Sequence, residues 1–546
     1  MTMNNNDHVI FNGEHHPYLT SSSQDLDLQK IANVLRNCEE NCCVIKLWIP
    51  KLVVRSYGKE RRFFCPPPII SLSGNGWAFN KTQLIYNLSN YREELQNKLW
   101  NATPQTSATD SEIKRIKTLF NKIPDLPLAM VLKVGINNGT TPFCAAVEDS
   151  KNSKMIKTLF ISSTDRRQYF KLSCEITQYL GPSTLFPARI IGNFESSEIR
   201  VISKPAKRQS ARTSDAAYVN LKSGMQVALF CRKKTSSVPI RYLYAEEPII
   251  IPSTDRWSSF YIYAVDTDEN ADLEKAFVIR QGFIYYNHVV RIVDAVTGVS
   301  TPNLILRKVE KNVVQISVQT NEPVAMLQRV AFQFCDTASS YFAISGNSII
   351  QQNTHVISSE AHEAEDCIAW TITNSEYIEF KYFETMGPTV EQITPFPFIK
   401  SAQLEGIHEN NNTVIEFYGI NLGRHLSVYF GLVSSEIISV NCSYIRCFVP
   451  SLADVGQYSQ MGIHKTSKNQ SYQVPISLIR NDGVVYPTDI EFEYSTYSAG
   501  KIGKIVNKNP LKFTGNNEEE ENEPPSQFEE EPLTNNEESE EDEEEV

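Results

Sequence analysis

The chain has no long apolar run. No stretch reaches the ~18 consecutive apolar residues that a membrane-spanning helix needs. The first residues, MTMNNNDHVIFNGEHH, do not have the charged-then-apolar order of a secretory signal, so an intracellular protein without a membrane association is expected. Paired cysteines are also missing. The 11 cysteines are odd in number and scattered, and no C-x-x-C occurs. The single cluster, Cys38, Cys42 and Cys43, has no second ligand pair at finger-like spacing, so no metal site is expected and the thiols read as buried or idle in a reducing compartment. Catalytic signatures are missing too: there is no G-x-S-x-G, no H-E-x-x-H, no G-x-x-x-x-G-K-[ST] and no G-x-G-x-x-G after a strand, and the nine histidines are dispersed. Neither an enzyme nor a cofactor is expected.

The formal net charge of -12 conceals a division. Residues 516–546 hold 16 of the 64 acidic residues and no Lys or Arg, which leaves 48 acids against 52 bases in residues 1–515. A mildly basic body thus carries an acidic tail. The tail has almost no apolar residues and repels itself, so it is expected to be disordered. A solvating role, a partner-binding role and competition with DNA for the basic body all remain open for it.

Residues 1–24 read as polar and unstructured. SQDLDLQKIANVLRNCEEN reads as a short helix with Leu26, Ile31 and Leu35 on one face and Ser23 as its N-cap. The period then changes. CVIKLWIPKLVVRSYG, PPPIISLSG, MVLKVGI, TLFISS, YFKLSCEI and IRVISKP are short β-rich runs separated by turn residues, interrupted at about 79–125 by two helical segments. This first domain spans 25–205. Between 206 and 393, at least ten short strands, IAWTIT and YIEFKYFE the last two among them, with no helix between them indicate a barrel or trefoil. After a proline-rich joint, residues 394–497 alternate as an immunoglobulin-like sandwich, and 498–546 form the disordered tail. The fold class is therefore all-β and multidomain.

Three basic clusters stand at strand ends. In GKERRFFCPPP (residues 58–68), Lys59, Arg61 and Arg62 are set against two phenylalanines and stopped by three prolines. Neighbouring side chains in a strand alternate in direction, so with Phe63 packed inward Arg62 and Phe64 face outward. Prolines end the ladder. Arginines held rigid in this way suit base reading, because a guanidinium fork matches guanine O6 and N7. An ordinary edge strand guarded by charge is the alternative. The second cluster, IRVISKPAKRQSAR, brings Arg200, Lys204, Lys207, Arg208 and Arg212 together without an acid, as phosphate contacts or as a solvated linker. The third, CRKKTSS, carries Arg232, Lys233 and Lys234 at a strand-to-turn corner.

RSYGKERRFFCPPPIISLSGNGW, STDRRQYFKLS, RVISKPAKRQS, MQVALFCRK…VPIRYLY, FVIRQGFIYYNHVVRIVDAVTG, LILRKV, YFETMGP and VPISLIRNDGVVYPT resemble, in order, the signatures of the CSL family (Suppressor of Hairless and the recombination-signal-binding protein J), over about residues 25–497. The resemblance implies a Rel-like N-terminal domain, a β-trefoil and a Rel-like C-terminal immunoglobulin (IPT/TIG) domain. It implies a nuclear transcription regulator, with a cytoplasmic pool allowed, that binds double-stranded DNA as a monomer at TGTGGGAA-like sites. The first domain would read the major groove and the trefoil the minor groove. Glu60, Arg62 and Phe63 match the family's DNA-reading turn, Lys204 the lysine of its ISKP motif and Arg232 its trefoil arginine. With their neighbours Tyr57, Arg61, Lys207, Arg208, Lys233 and Ser236 they make up the candidate DNA-binding set. Phe277, Ile279 and Ser300 match the family's apolar groove for an extended peptide of the Notch intracellular domain type and of co-repressors; Mastermind-type co-activators are further implied partners.

The chain departs from the family pattern at several positions. Trp77 is followed by AFNK and the helical insert rather than by lysines, Glu198 replaces a base, Thr235-Ser236 replaces a Ser-Gln pair, and Ser300 replaces an alanine. A divergent member is expected. The alternatives are an interaction scaffold with weakened DNA binding and a Notch-independent regulator.

Overall fold

The computed structural model describes residues 18–19, 27–101, 110–126, 128–136, 143–147, 153–181, 185–205, 216–232, 240–265, 279–317, 323–407, 413–456, 464–466, 471–495 and 503–507. Strands dominate them, and the apolar alternation of the sequence becomes two main β cores: one continuous cluster shared by the first and last domains, and a second inside the trefoil. In the N-terminal domain, Cys43–Pro50 pairs antiparallel with Ile69–Ser73. A second sheet runs Phe143–Val147, Ala129–Ile136, Leu172–Tyr179, Arg189–Glu195. Ile45, Leu47, Ile70, Leu132, Val134, Ile176 and Phe194 point inward between the two sheets. In the trefoil, Phe260, Ile262 and Ala264 on one face of Phe260–Val265 join Val227, Leu229, Ile292, Leu306, Phe332 and Trp370. The C-terminal domain is a sandwich with a core of Ile415, Phe417, Val428, Phe430, Ile445, Val474, Ile476 and Phe492.

One strand belongs to all three. Trp370–Glu384 pairs through residues 370–374 with the trefoil strand Met225–Cys231, through 375–382 with Cys43–Pro50 of the first domain, and through 383–384 with Val484–Ser495 of the last. IAWTIT and YIEFKYFE, which read as two trefoil strands, are therefore one element, and its second half completes the N-terminal sheet. At its far end the Glu384 carboxylate is fully buried. It accepts from Arg189, from Asn80 Nδ2 (2.6 Å) and from the Thr389 backbone N–H (2.8 Å), while Arg189 Nε donates to the Thr389 carbonyl (2.9 Å).

Four local expectations are corrected. The first helix is Leu28–Arg36, and its cap is Asp27, whose carboxylate accepts from Lys30 N–H (3.0 Å); Ser23 lies outside the described residues. Tyr18, placed in an unstructured leader, is 3% exposed and packs with Leu84, Leu88, Leu95, Leu119 and Phe186 around the insert. The insert helices are Gly76–Asn101 and Asp110–Lys122. The first therefore begins earlier than 79, next to Gly74. That residue has φ +89°, and a Cβ there would lie 2.0 Å from the Cys42 carbonyl oxygen, so only glycine fits. Finally, Gly503–Asn507, assigned to the disordered tail, pairs with residues 490–494 as an added strand. Ile505 packs against the sandwich core, a short apolar signal that the acidic run after it masks.

The trefoil also carries a pH-sensitive contact. Tyr341 Oη and His362 Nδ1 lie 2.6 Å apart and both side chains are buried. Burial, reinforced by the Arg307 cation, pushes the His362 pKa down, and for the exposed His425 in the sandwich partial desolvation and the nearby Arg480 charge act in the same direction. A depressed histidine pKa means that the unfolded chain takes up its proton first as pH falls. Stability is then held above the unfolded value of about 6.5 and lost below it. Urea midpoints should fall between pH 7.5 and 5.5, and His362→Phe should flatten part of that decline, leaving the His425 share. An unchanged slope would remove His362 from the account.

Candidate nucleic-acid interface

The GKERRFF segment forms a tight turn. Tyr57 and Glu60 exchange backbone hydrogen bonds (3.2 and 2.9 Å), and Gly58 takes φ +55° at the bend. The turn is held from both sides: Arg55 N–H donates to the Ile202 carbonyl (2.8 Å), Ser56 N–H to the Ile161 carbonyl (3.0 Å), and the Ser163 hydroxyl to the Gly58 carbonyl (3.3 Å). Tyr57 and Phe63 are left 76% and 51% exposed.

The direction of the two phenylalanines is the reverse of that expected. Phe64 is buried against Phe170 (ring centroids 5.7 Å apart), and Phe63 faces outward, edge-on to Phe160 (5.9 Å). Backbone pairing decides this: Phe64 N–H bonds the Leu159 carbonyl, which turns its side chain toward the core. The exposed Arg61 then stacks over Phe160 with Cζ 5.2 Å from the ring centroid. Arg62 is half-buried. Its backbone N–H donates to Ser56 Oγ (3.1 Å), its Nη1 to the Ser203 carbonyl (3.4 Å), and its Nη2 lies 3.5 Å from Glu60 Oε2.

The Arg62–Ser203 bond brings the first cluster to the second, because Ser203 immediately precedes the exposed Lys204. The third cluster arrives from the trefoil: exposed Arg232 places Nη2 3.8 Å from Cys65 Sγ. The prolines hold this arrangement in place. Trp257 Nε1 of the trefoil donates to the Pro67 carbonyl (2.7 Å), and Ile69, Ala228, Phe230, Tyr242 and Trp257 form a small core between the two domains with Cys65 against it. The interdomain angle, and with it the spacing from Arg62 to Arg232, is thus fixed by packed aromatics.

Arg200 does not belong to this surface. It is buried, stacked on Tyr169 (4.6 Å) and bonded to the Gln168 carbonyl and Oε1 (3.3 and 3.1 Å). Strand alternation turns it inward. Lys207, Arg208, Arg212, Lys233, Lys234 and Ser236 lie outside the described residues. Two bases that the sequence reading did not assign stand beside the turn: exposed Lys157, three residues before Phe160, and exposed Arg166 in the loop that holds Gly58. The doubled arginine in STDRRQYF was the available signal. The next residue, Arg167, is instead bound to Asp165 (2.6 Å) and lends its carbonyl to Arg55 Nη2 (2.7 Å).

The trefoil region around Ser300 is a second candidate site. Tyr261, Tyr263 and Val265 lie on the face of Phe260–Val265 opposite the trefoil core and are themselves buried, with Val293; the register leads from them to Ser300, since Val265 pairs with Ile279, Tyr261 with Val293, and Val293 with Ser300. Tyr261 and Tyr263 stack at 6.1 Å, and Ser300 is exposed. Phe277 and the side chain of Ile279 lie outside the described residues.

Comparison with known proteins covers the same ground. Residues 45–215 match the family model described as "LAG1, DNA binding", 246–372 the "Beta-trefoil DNA-binding domain" and 396–494 the "TIG domain". The chain is 30% identical to the recombining binding protein suppressor of hairless-like protein of Mus musculus over 85% of this chain and 82% of that one, and 29% identical to its Homo sapiens counterpart over 84% and 81%. It is 22% identical to transcription factor cbf12 of Schizosaccharomyces pombe over 76% of this chain and 45% of that protein. Three family domains in order and this continuous likeness establish that the chain is a divergent member of the CSL family of DNA-binding transcription factors.

Proposed function

We propose that the protein binds TGTGGGAA-like sites in duplex DNA as a monomer, in the nucleus, and regulates RNA polymerase II genes by exchanging Notch-type activating and co-repressing partners. The observation that carries this reading is the convergence of Arg62, the Ser203–Lys204 segment and Arg232 from two domains around one braced turn. Arg62, aimed by Ser203 and Glu60, reads a guanine; Arg61, Lys204 and Arg232 meet phosphates, with Tyr57 and Phe63 on sugar and base faces. Lys207, Arg208, Lys233 and Ser236 extend the same set. Selection of binding sites from random duplexes by the purified protein tests it. Enrichment of one core related to TGTGGGAA is expected, and recovery of unrelated sequences would overturn the specific reading.

The trefoil edge at Ser300, which bridges to Val293, is the proposed seat of the extended peptide, with Phe277 and Ile279 as anchors. A few anchors supply most of such binding energy. Phe277→Ala should therefore remove about 2 kcal/mol or more from the affinity for a Trp- and Pro-containing Notch-type peptide, measured by calorimetry, with DNA affinity unchanged. A Notch-independent regulator is the second reading, favoured by the exposed hydroxyl of Ser300 at this edge. The absence of any saturable heat from the wild-type chain would decide for it.

A further inference from the structure

We propose that the acidic C-terminal tail occupies the DNA-facing basic surface of its own chain and must be displaced before duplex binds. The proposal rests on the DNA-binding reading above and adds a regulator to it. Lys59, Arg61, Arg62, Lys157, Arg166, Lys204 and Arg232 surround the braced turn. Of the acids near them in sequence, Glu60 and Asp165 are engaged with Arg62 and Arg167, and Glu198, six residues before Lys204, is exposed. Among the described residues, no carboxylate pairs with Lys59, Arg61, Lys157, Arg166, Lys204 or Arg232. The surface therefore holds more cations than internal counter-charge, around a turn held by packing.

The same chain supplies a counter-charge of the right kind. Residues 537–545 contain eight acids in nine positions, with Ser539 the exception. At about 3.4 Å per extended residue this is about one charge per 4 Å, close to the charge every ~3.4 Å along one DNA strand. Over a short length the tail end therefore presents a line of negative charge like a phosphate backbone, but with no base edges.

Reach is sufficient. The last described strand ends at Asn507, antiparallel to the sandwich edge, and 39 residues follow it. At full extension they span up to about 130–140 Å, whereas a body of this size has a radius of gyration of about 25 Å. The body (residues 1–515) has an excess of four bases and the tail 16 acids, so closure also lowers the self-repulsion of the tail.

A tail bound in this way lowers the fraction of chain competent for DNA, and apparent affinity falls by that fraction whatever the duplex sequence. Occlusion should thus weaken specific and random binding by one common factor and leave their ratio unchanged. This distinguishes the tail from a substitution at a base-reading residue.

The test compares three full-length or near-full-length proteins by fluorescence anisotropy on a TGTGGGAA duplex and a scrambled duplex: the wild type, a truncation lacking residues 516–546, and a chain of unchanged length with every tail Glu→Gln and Asp→Asn. At about 10 mM salt, where screening extends over about 30 Å, truncation and amidation should each tighten both duplexes about tenfold. At about 0.15 M, where it extends over about 8 Å, the gain should shrink toward twofold. Carbodiimide crosslinking without DNA supplies an independent readout, with amide links expected from tail carboxylates to Lys59, Lys157 or Lys204. Equal low-salt affinities of the three chains with no such crosslinks overturn the proposal and leave the DNA reading intact. An amidated chain that binds as weakly as wild type also overturns it, because length and not charge would then be responsible. Crosslinks in a chain that binds no duplex uphold the contact and overturn the DNA reading.

Discussion

Arg189→Met should destabilise the protein by about 3–5 kcal/mol, the cost typical of removing one member of a buried ion pair. Glu384 is fully buried, and its carboxylate is balanced by the Arg189 guanidinium, with Asn80 and Thr389 completing its hydrogen bonds. Methionine fills most of the volume but leaves a charge in a site that excludes water. The partners come from the N-terminal sheet, the insert helix, the shared strand and the segment that follows it, so urea denaturation should show the loss in the first and last domains together. A double change, Arg189→Met with Glu384→Leu, should recover most of the stability, since paired apolar replacement of a buried ion pair is often neutral or better. A loss of under about 1 kcal/mol for the single change would mean that water reaches the carboxylate.

Arg62→Ala should weaken binding to the selected duplex by about 1–3 kcal/mol and relax preference at one guanine position. The Ser203 carbonyl and Glu60 carboxylate restrict the guanidinium, so little orientation remains to be lost on docking. Lys204→Ala, at an exposed position one residue from that carbonyl, should instead weaken all duplexes alike and reduce the salt slope by about one ion. Base-by-base affinity measurement separates the two; a uniform loss for Arg62→Ala would reassign it to the phosphate backbone.

The order and class of the domains were legible because each strand carries its own alternation, as in the inward Phe260, Ile262 and Ala264. What could not be read depends on pairings between residues far apart in sequence. Trp370–Glu384 reads as two strands because its partners change from trefoil to N-terminal sheet midway, and no local pattern records a change of partner. Arg200 looked like its basic neighbours; the stack on Tyr169 that buries it is made in space. Phe63 and Phe64 are chemically alike, so alternation gave two equivalent phases, and only the bond from Phe64 N–H to Leu159 chose between them. The resemblance identified Arg62, Lys204 and Arg232, but the Cys65 and Ser203 contacts that bring them together belong to the fold.

The shared strand sets an order of events during synthesis. Cys43–Pro50 emerges from the ribosome early, but its partner residues 375–382 are more than 300 positions downstream. At about 5–20 residues per second, the nascent first domain waits roughly 15–70 s with one flank of a central strand, Cys43, Val44, Ile45 and Leu47 among its residues, unpaired. Completion of the domain that reads DNA is thereby tied to completion of the trefoil. A chain stopped before residue 370 would present an open, apolar ladder edge of the kind that molecular chaperones retain and proteases remove.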